Sequence, residues 1–323
     1  MSGTAAGDER PARRPPIAPA LSRSDLDRDY LARVTGPAEL LEDPRTRVVV
    51  LHAGRALGAS PERLALLAPD DLGDLDPDEL VFLGRARSDG ADLPAGGAVL
   101  SLVVDQERAE QLEGSWLDLR AVGSVLDPRD AGLFTQALAL ANWHATSAYS
   151  PVTGRSLGTA QAGWVRVDPD TGREHYPRTD PAVIVAVLDD ADRILLGANV
   201  AWGENRFSLL AGFVEPGESL EAAVVREIYE EAGVVVTDPE YRGSQPWPFP
   251  ASLMLGFEAR IAEGTSTEPR PDGTELRELR WFTRDELTAA AASGEVTLPG
   301  PTSIARAIID DWHGGVLADR VDW

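Results

Sequence analysis

Residues Gly212 to Val234 read GFVEPGESLEAAVVREIYEEAGV, and the rest of the chain is organised around them. Gly212, Glu218, Arg226, Glu227, Ile228, Glu230, Glu231, Gly233 and Val234 fit the pattern G-x5-E-x7-R-E-U-x-E-E-x-G-U, where U is a bulky aliphatic residue. Ser219 suits an N-cap and Gly233 a C′ position, so the spacing predicts one helix over 220–232. Leu220, Val224 and Ile228 recur every four residues and give that helix a buried side. At about 100° per residue, Glu227, Glu230 and Glu231 fall within an arc of roughly 100°. Carboxylates so close repel one another unless cations sit between them. Hard divalent ions with oxygen ligands are the natural partner, and Mg²⁺ keeps positions open for water and phosphate oxygens. Gly212 and Gly217 are expected to permit a tight loop ahead of the helix. Arg226 is placed to brace the carboxylates, through Glu218 or Glu230. A solvated acidic face would explain Glu230 and Glu231 but not the glycines and Glu218 at fixed offsets.

Composition bounds the rest. A chain of 323 residues is long enough for two domains, and a hydrophobic share of 43% supports packed cores. The formal charge of −23 disfavours bulk nucleic acid and acidic membrane surfaces, so a polyphosphate substrate would need cations and local arginines. Every basic side chain is Arg. No apolar run approaches membrane-spanning length, and the start lacks a signal-peptide core, so a cytoplasmic enzyme is expected. The absence of cysteine excludes disulfides, thiolate chemistry and Cys-ligated zinc.

Along the chain, 1–20 is rich in Pro, Ala and Arg and reads as a mobile tail. Residues 21–145 read as an α+β domain, with strands at 47–51, 80–85 and 98–104, a short helix at 61–67, and a long helix opening at Asp127-Pro128 and running to about 145. No catalytic constellation appears there; His52, Trp143 and His144 read as packed side chains. Residues 146–178 are loop-rich. From 179 to 323 the pattern predicts a hairpin at 182–188 and 193–196, strands at 206–210, 234–237, 253–261 and 276–282, a helix opened by a Thr283/Glu286 capping box, and a last helix over 302–313. A mixed sheet between helices makes an α/β sandwich.

Downstream of the acidic helix, 244–252 reads SQPWPFPAS. Proline-locked backbone there makes a rigid platform, Trp247 and Phe249 offer flat surfaces for a ring, and Gln245 and Ser252 supply polar handles. Together with the motif, HYPRTDP at 175–181 and LLAGFVE at 209–215, this segment resembles the NADH pyrophosphatase (NudC-type) subfamily of the Nudix hydrolases. The resemblance covers roughly 130–323 well, and 21–126 only by length and position. It implies a Nudix α/β/α sandwich with a mixed sheet, preceded by an α+β N-terminal domain and a zinc-ribbon-like segment at 146–178. It further implies that 244–252 binds the dinucleotide, that Tyr176 and Phe213 line the base pocket, that Ala305 contacts substrate, and that Trp247 reaches across a homodimer. Metals, by resemblance, are held by Glu227, Glu231 and the Ala211 carbonyl, with Glu230 a further ligand and Glu275 the matching downstream acid; Glu278 is its rival.

One departure stands out. The family carries two C-x2-C pairs before the Nudix domain, and the corresponding positions here are Ser150, Thr153, Asp168 and Thr171, with Gly154 and Gly172 following. A lone carboxylate among hydroxyls does not make a tetrahedral zinc site, so a ribbon-shaped segment without structural zinc is expected. The activity implied is hydrolysis of the pyrophosphate of NADH or NAD⁺ to AMP and the nicotinamide mononucleotide. Two or more Mg²⁺ or Mn²⁺ ions would be clamped by Glu227, Glu230, Glu231 and Glu275, with Glu231 favoured as a bridging ligand and the base left unassigned. The other readings are hydrolysis of ADP-ribose-type derivatives or of the NAD cap of an RNA, with only a short RNA contact, and a non-hydrolytic nucleotide sensor. No membrane partner is expected.

Overall fold

The computed structural model describes residues 15–318; the expectation of a mobile tail over 1–14 lies outside them. Residues 15–20 correct that expectation. Ile17 packs against a core of the C-terminal sheet, and its N–H donates to the Arg242 carbonyl at 2.6 Å.

Two large sheets and one small one make up the molecule. In the N-terminal sheet, Arg47–His52 runs parallel to Ala98–Val103, which pairs antiparallel with Val81–Ala86; Arg55–Ser60 is the antiparallel hairpin partner of Arg47–His52. Leu66–Leu67 adds a short antiparallel pairing to Val48 and Val49. The expected helix over 61–67 is therefore two short strands, Arg63–Leu64 and Leu66–Leu67. Sheet pairing overrode local helix propensity at this point. The long helix Pro128–Thr146 starts as expected, with Asp127 accepting from the Asp130 N–H at 2.9 Å, and covers this sheet.

The C-terminal sheet has the order Val236–Trp247, Ser252–Ile261, Asp180–Leu188, Ile194–Asn199, Leu276–Phe282. Only the pairing of Asp180–Leu188 with Ser252–Ile261 is parallel, which makes the sheet mixed. Valines 183, 185 and 187 face the acidic helix Leu220–Ala232, and Ile184, Ala186 and Leu188 face the last helix, Ile304–His313. This is the alternation a strand buried on both sides requires. Leu220, Val224 and Ile228 do carry the acidic helix onto the sheet. Burial contributes about 1.5–3 kcal/mol for each of Val224 and Ile228 and less for the half-buried Leu220, and Ile228→Ala would cost about 2–5 kcal/mol. The Thr283/Glu286 capping box forms, and Gly314 closes the last helix in a left-handed conformation.

Two strand bounds differ from expectation. The strand before the motif is Leu210–Phe213, with 206 and 208 making only isolated bridges. The strand after it runs from Val236 to Trp247, so SQPW extends a sheet rather than opening a loop.

Residues 146–178 form a three-stranded antiparallel ribbon, with Val165–Val167 between Gly158–Ala160 and Glu174–His175. Two matching turns place the four expected positions together, with Gly154 at φ 71° and Gly172 at φ 69°. Asp168, fully buried, lies at their centre. Its carboxylate accepts from the Thr153 hydroxyl at 2.6 Å and from the Asp170 and Thr171 N–H groups at 3.0 and 3.2 Å. The Ser150 and Thr153 hydroxyls, first among these bonds, hold its pKa far below the usual carboxylate range. These donors are spent on one another, and they do not fit tetrahedral zinc.

The sheets are tied directly. The Leu21 N–H donates to Gln245 Oε1 at 3.3 Å, Gln245 Nε2 donates to the Thr302 carbonyl at 3.0 Å, and the Ser124 N–H donates to Thr302 Oγ1 at 3.2 Å. Among the described residues, no helix is long and apolar enough to cross a membrane.

Candidate active site

The acidic helix begins at Ser219, whose hydroxyl accepts from the Ala222 N–H at 3.2 Å, and ends at Gly233, which is left-handed at φ 67°. In front of it the Gly212 strand is pinned to the sheet by register, Gly212 opposite Val183 and Phe213 opposite Ala182. Gly217 does turn the chain with a positive φ of 99°. Gly212, expected to serve a loop, lies in the strand, and its requirement is steric: a methyl there would collide with the Glu227 carboxyl group. The strand and the acid pack face to face because one of them has no side chain.

Arg226 holds the front of the site. Its Nη1 donates to Glu227 Oε1 and Glu230 Oε2, each at 2.9 Å, its Nε to Glu218 Oε2 at 3.1 Å, and its Nη2 to the Phe213 carbonyl at 3.0 Å and to Glu218 Oε1. It therefore braces Glu218, Glu227 and Glu230 at once, rather than Glu218 or Glu230 alone. Glu218 in turn accepts from the Glu215 N–H at 2.8 Å, which fixes the loop, and the Arg226 bonds draw its pKa down.

Behind this brace lies Glu231, 7% exposed, with Oε2 buried and without a hydrogen-bond partner. Burial, followed by the charges of Glu227 and Glu275, pushes its pKa up to about 8, against the favourable Ala211 backbone bond. Glu227 is also raised, chiefly by burial, with Glu230 and Glu275 adding to the shift. Glu227 and Glu231 share one face of the helix, as the arc predicted. A buried, orphaned carboxylate beside two more acids is an arrangement a cation would stabilise, and an all-oxygen donor set fits a hard divalent ion. Among the described residues no three acidic or histidine side chains already converge as ligands.

Glu275 acts electrostatically on both Glu227 and Glu231, whereas Glu278 is bonded to Arg280. Sequence reasoning missed Asp272, whose carboxylate accepts from the Glu275 N–H at 3.0 Å and the Leu276 N–H at 2.8 Å and so shapes the turn that presents Glu275. The Asp272-Gly273 dipeptide was the available signal.

The other expected site residues lie elsewhere. Phe213, 58% exposed, shares with Ala211 the sheet face opposite Gly212. Tyr176, 61% exposed, is bonded to Glu174. Trp247 pairs with Ser252, which is half-buried. Gln245 corrects an expectation: it is fully buried, and its amide is spent on Leu21 and Thr302. Ala305 lies at the start of the last helix with its methyl in the core. Phe249 is not a bare shelf. It meets Trp247 edge-on at 4.9 Å, and Arg120 covers its ring.

Comparison with known families agrees with this architecture. Residues 178–298 match the NUDIX domain, and residues 45–143 match the NADH pyrophosphatase-like rudimentary NUDIX domain. The chain is 43% identical over 311 residues to a Mycobacterium bovis protein named NAD-capped RNA hydrolase NudC, covering 91% of this chain and 94% of that one. A Mycobacterium tuberculosis protein of the same name is also 43% identical, with the same coverage of 91% and 94%. A human protein named NAD-capped RNA hydrolase NUDT12 is 36% identical over 199 residues, 58% of this chain and 42% of that one. With the acidic helix, its glycine partner and both domain matches in place, the chain belongs to the NudC-type, NADH pyrophosphatase-like Nudix hydrolases.

Proposed function

We propose that the protein hydrolyses the pyrophosphate bond of NADH or NAD⁺, yielding AMP and the corresponding nicotinamide mononucleotide. The observation that carries this reading is the orphaned Glu231 carboxylate, buried against Glu227 and within the field of Glu275. Those three residues, with the Ala211 carbonyl, would hold Mg²⁺ or Mn²⁺, and Glu230 would join at the exposed margin. Bound there, such ions polarise phosphate oxygens and lower the pKa of a coordinated water.

The chain's own groups divide the remaining work. Arg226 fixes Glu218, Glu227 and Glu230 and so sets the acids before substrate arrives. Glu231, raised to about 8 by burial and the neighbouring acids, holds its proton near neutral pH and would give it up on binding a cation. Phe213 offers an exposed ring to a base on the far side of the Ala211–Phe213 backbone, so a dinucleotide would fold around that strand, and Tyr176 would supply a second exposed ring. A homodimer would bring a second Trp247 to the site.

The names of the relatives favour a second substrate of the same chemistry, an RNA carrying NAD at its 5′ end, because the bond broken is identical. The acidic surface suits only a short contact with the RNA chain. The test is Mg²⁺- or Mn²⁺-dependent release of AMP from NADH, run beside NAD-capped RNA and ADP-ribose. Binding of all three without metal-dependent products would leave a nucleotide sensor instead.

A further inference from the structure

Away from the acidic helix, cations gather around one indole. Trp164, in the ribbon, donates its ring N–H to the Phe82 carbonyl at 2.7 Å and is so held against the N-terminal sheet. The Cζ of Arg33 lies 3.6 Å from the centroid of its ring, and that of Arg28 lies 5.8 Å away. Both arginines come from the stretch ahead of the first long strand. Arg166, two residues beyond Trp164, donates through Nε to His144 Nδ1 at 3.0 Å, and His144 Nε2 donates in turn to the Gly163 carbonyl at 2.8 Å. No carboxylate takes part in any of these contacts.

An unpaired arginine on a surface is ordinary; these differ in their surroundings. Arg33 Nε is buried and has no acceptor. Burial, and after it the charge of Arg28, lowers the Arg33 pKa, and burial lowers those of Arg28 and Arg166. Arg45, Arg178, Arg226 and Arg280 are instead raised, each by a bonded carboxylate. The acids on either side of Arg28 have other partners: Asp27 Oδ1 accepts the Asp29 N–H at 2.9 Å, and Asp29 Oδ2 accepts from Arg85 Nε at 2.8 Å. A guanidinium does not shed its proton, so two like charges on one indole, one of them with a buried and unmet donor, call for an anion from outside the chain. Stacking occupies their flat faces and leaves their edges to donate.

We propose that Arg28 and Arg33, seated on Trp164, form a phosphate-binding site on the N-terminal domain that shares no residue with the acidic site. A phosphate suits it better than a singly charged ion, because it offers several acceptor oxygens to two guanidinium forks at once. Tyr30 lies between the two arginines in sequence and is 69% exposed, so it offers a ring to a base carried by that phosphate. The group is either a small free phosphate or a phosphodiester of a single-stranded RNA; the chemistry recognised is the same. The site does not depend on the NAD(H) reading above.

The experiment uses the full chain freed of divalent ions, so that its acidic site repels anions. It is titrated with pyrophosphate by calorimetry and with a short labelled single-stranded RNA by fluorescence anisotropy, at low and high salt. Both the unsubstituted protein and the variants Arg28→Gln and Arg33→Gln are measured. Binding is expected to weaken with salt and to be about tenfold weaker in each variant. Pyrophosphate binding assigns the site to a free phosphate group; binding of the RNA alone assigns it to the phosphodiester chain. Binding of neither probe, or binding that neither variant weakens, makes the pair a clasp between ribbon and sheet and overturns the proposal. If Arg33→Gln does not fold, Arg28→Gln, at the exposed member of the pair, decides by the same criterion.

Discussion

In the N-terminal sheet, the short strand Leu66–Leu67 pairs antiparallel with the first long strand, and the chain then makes a tight turn of 3-10 helix at Pro69–Leu72. In the C-terminal sheet, Leu210–Phe213 pairs antiparallel with Asp180–Leu188, and the chain then makes a helix of 13 residues. The neighbouring strands correspond as well: a hairpin partner, a parallel neighbour and, beyond it, an antiparallel strand occupy matching places in both sheets. One plan therefore supports two outcomes, and what separates them is the helix with its acids and the glycine it packs on. The sheet alone carries no chemistry; the site grafted on it does.

The largest effect should come from Glu231→Gln, which is expected to lower kcat by at least about a hundredfold while leaving the circular dichroism spectrum unchanged. Asp71→Asn, in the corresponding turn of the other sheet, should leave turnover as it was. Equal losses from both would break the contrast. Asp272→Ala should come next, raising the Mg²⁺ concentration for half-maximal rate by about tenfold, because the Glu275 turn loses its organiser; metal titration of activity checks it.

The third test is thermal. Glu231 has a folded-state pKa raised to about 8, so the folded protein favours the protonated acid. Without divalent cations, stability should fall as pH rises from the ordinary glutamate range toward about 8, by an amount on the order of a few kcal/mol, and level off above it. Melting curves of chelated protein would show this slope, and Glu231→Gln should remove it.

The smallest effect concerns the ribbon. Asp168 has a depressed pKa, so its contribution is present at neutral pH and lost as pH falls through the acid range. Asp168→Asn should lower the melting temperature modestly at neutral pH and less in acid. Metal analysis of the unsubstituted protein should find no stoichiometric zinc.

Much of the C-terminal half was legible because its signals are local. Caps, a four-residue apolar repeat and fixed acid spacing all sit within one helix, and each depends on near neighbours. What escaped depended on distant partners. Residues 61–67 have helical composition but pair with strands on either side. Gln245 looks like a ligand until Leu21 and Thr302 arrive from opposite ends of the chain. Asp272 acts through a turn rather than through the motif, and Arg120 meets Phe249 across 129 positions of sequence, the difference between their residue numbers. The shared plan of the two sheets was hidden for the same reason, since strand order is a property of pairing and leaves no repeat in the letters.

The docking of Ile17 and Leu21 onto the far sheet bears on how such a protein can change over generations. A recombination event that swapped one half for a homologous half would also split this clasp, exposing the Gln245 amide and unseating the Trp247 strand. The halves are therefore expected to travel through evolution as a single inherited unit, with the opening residues tracking the later half more closely than the domain they precede.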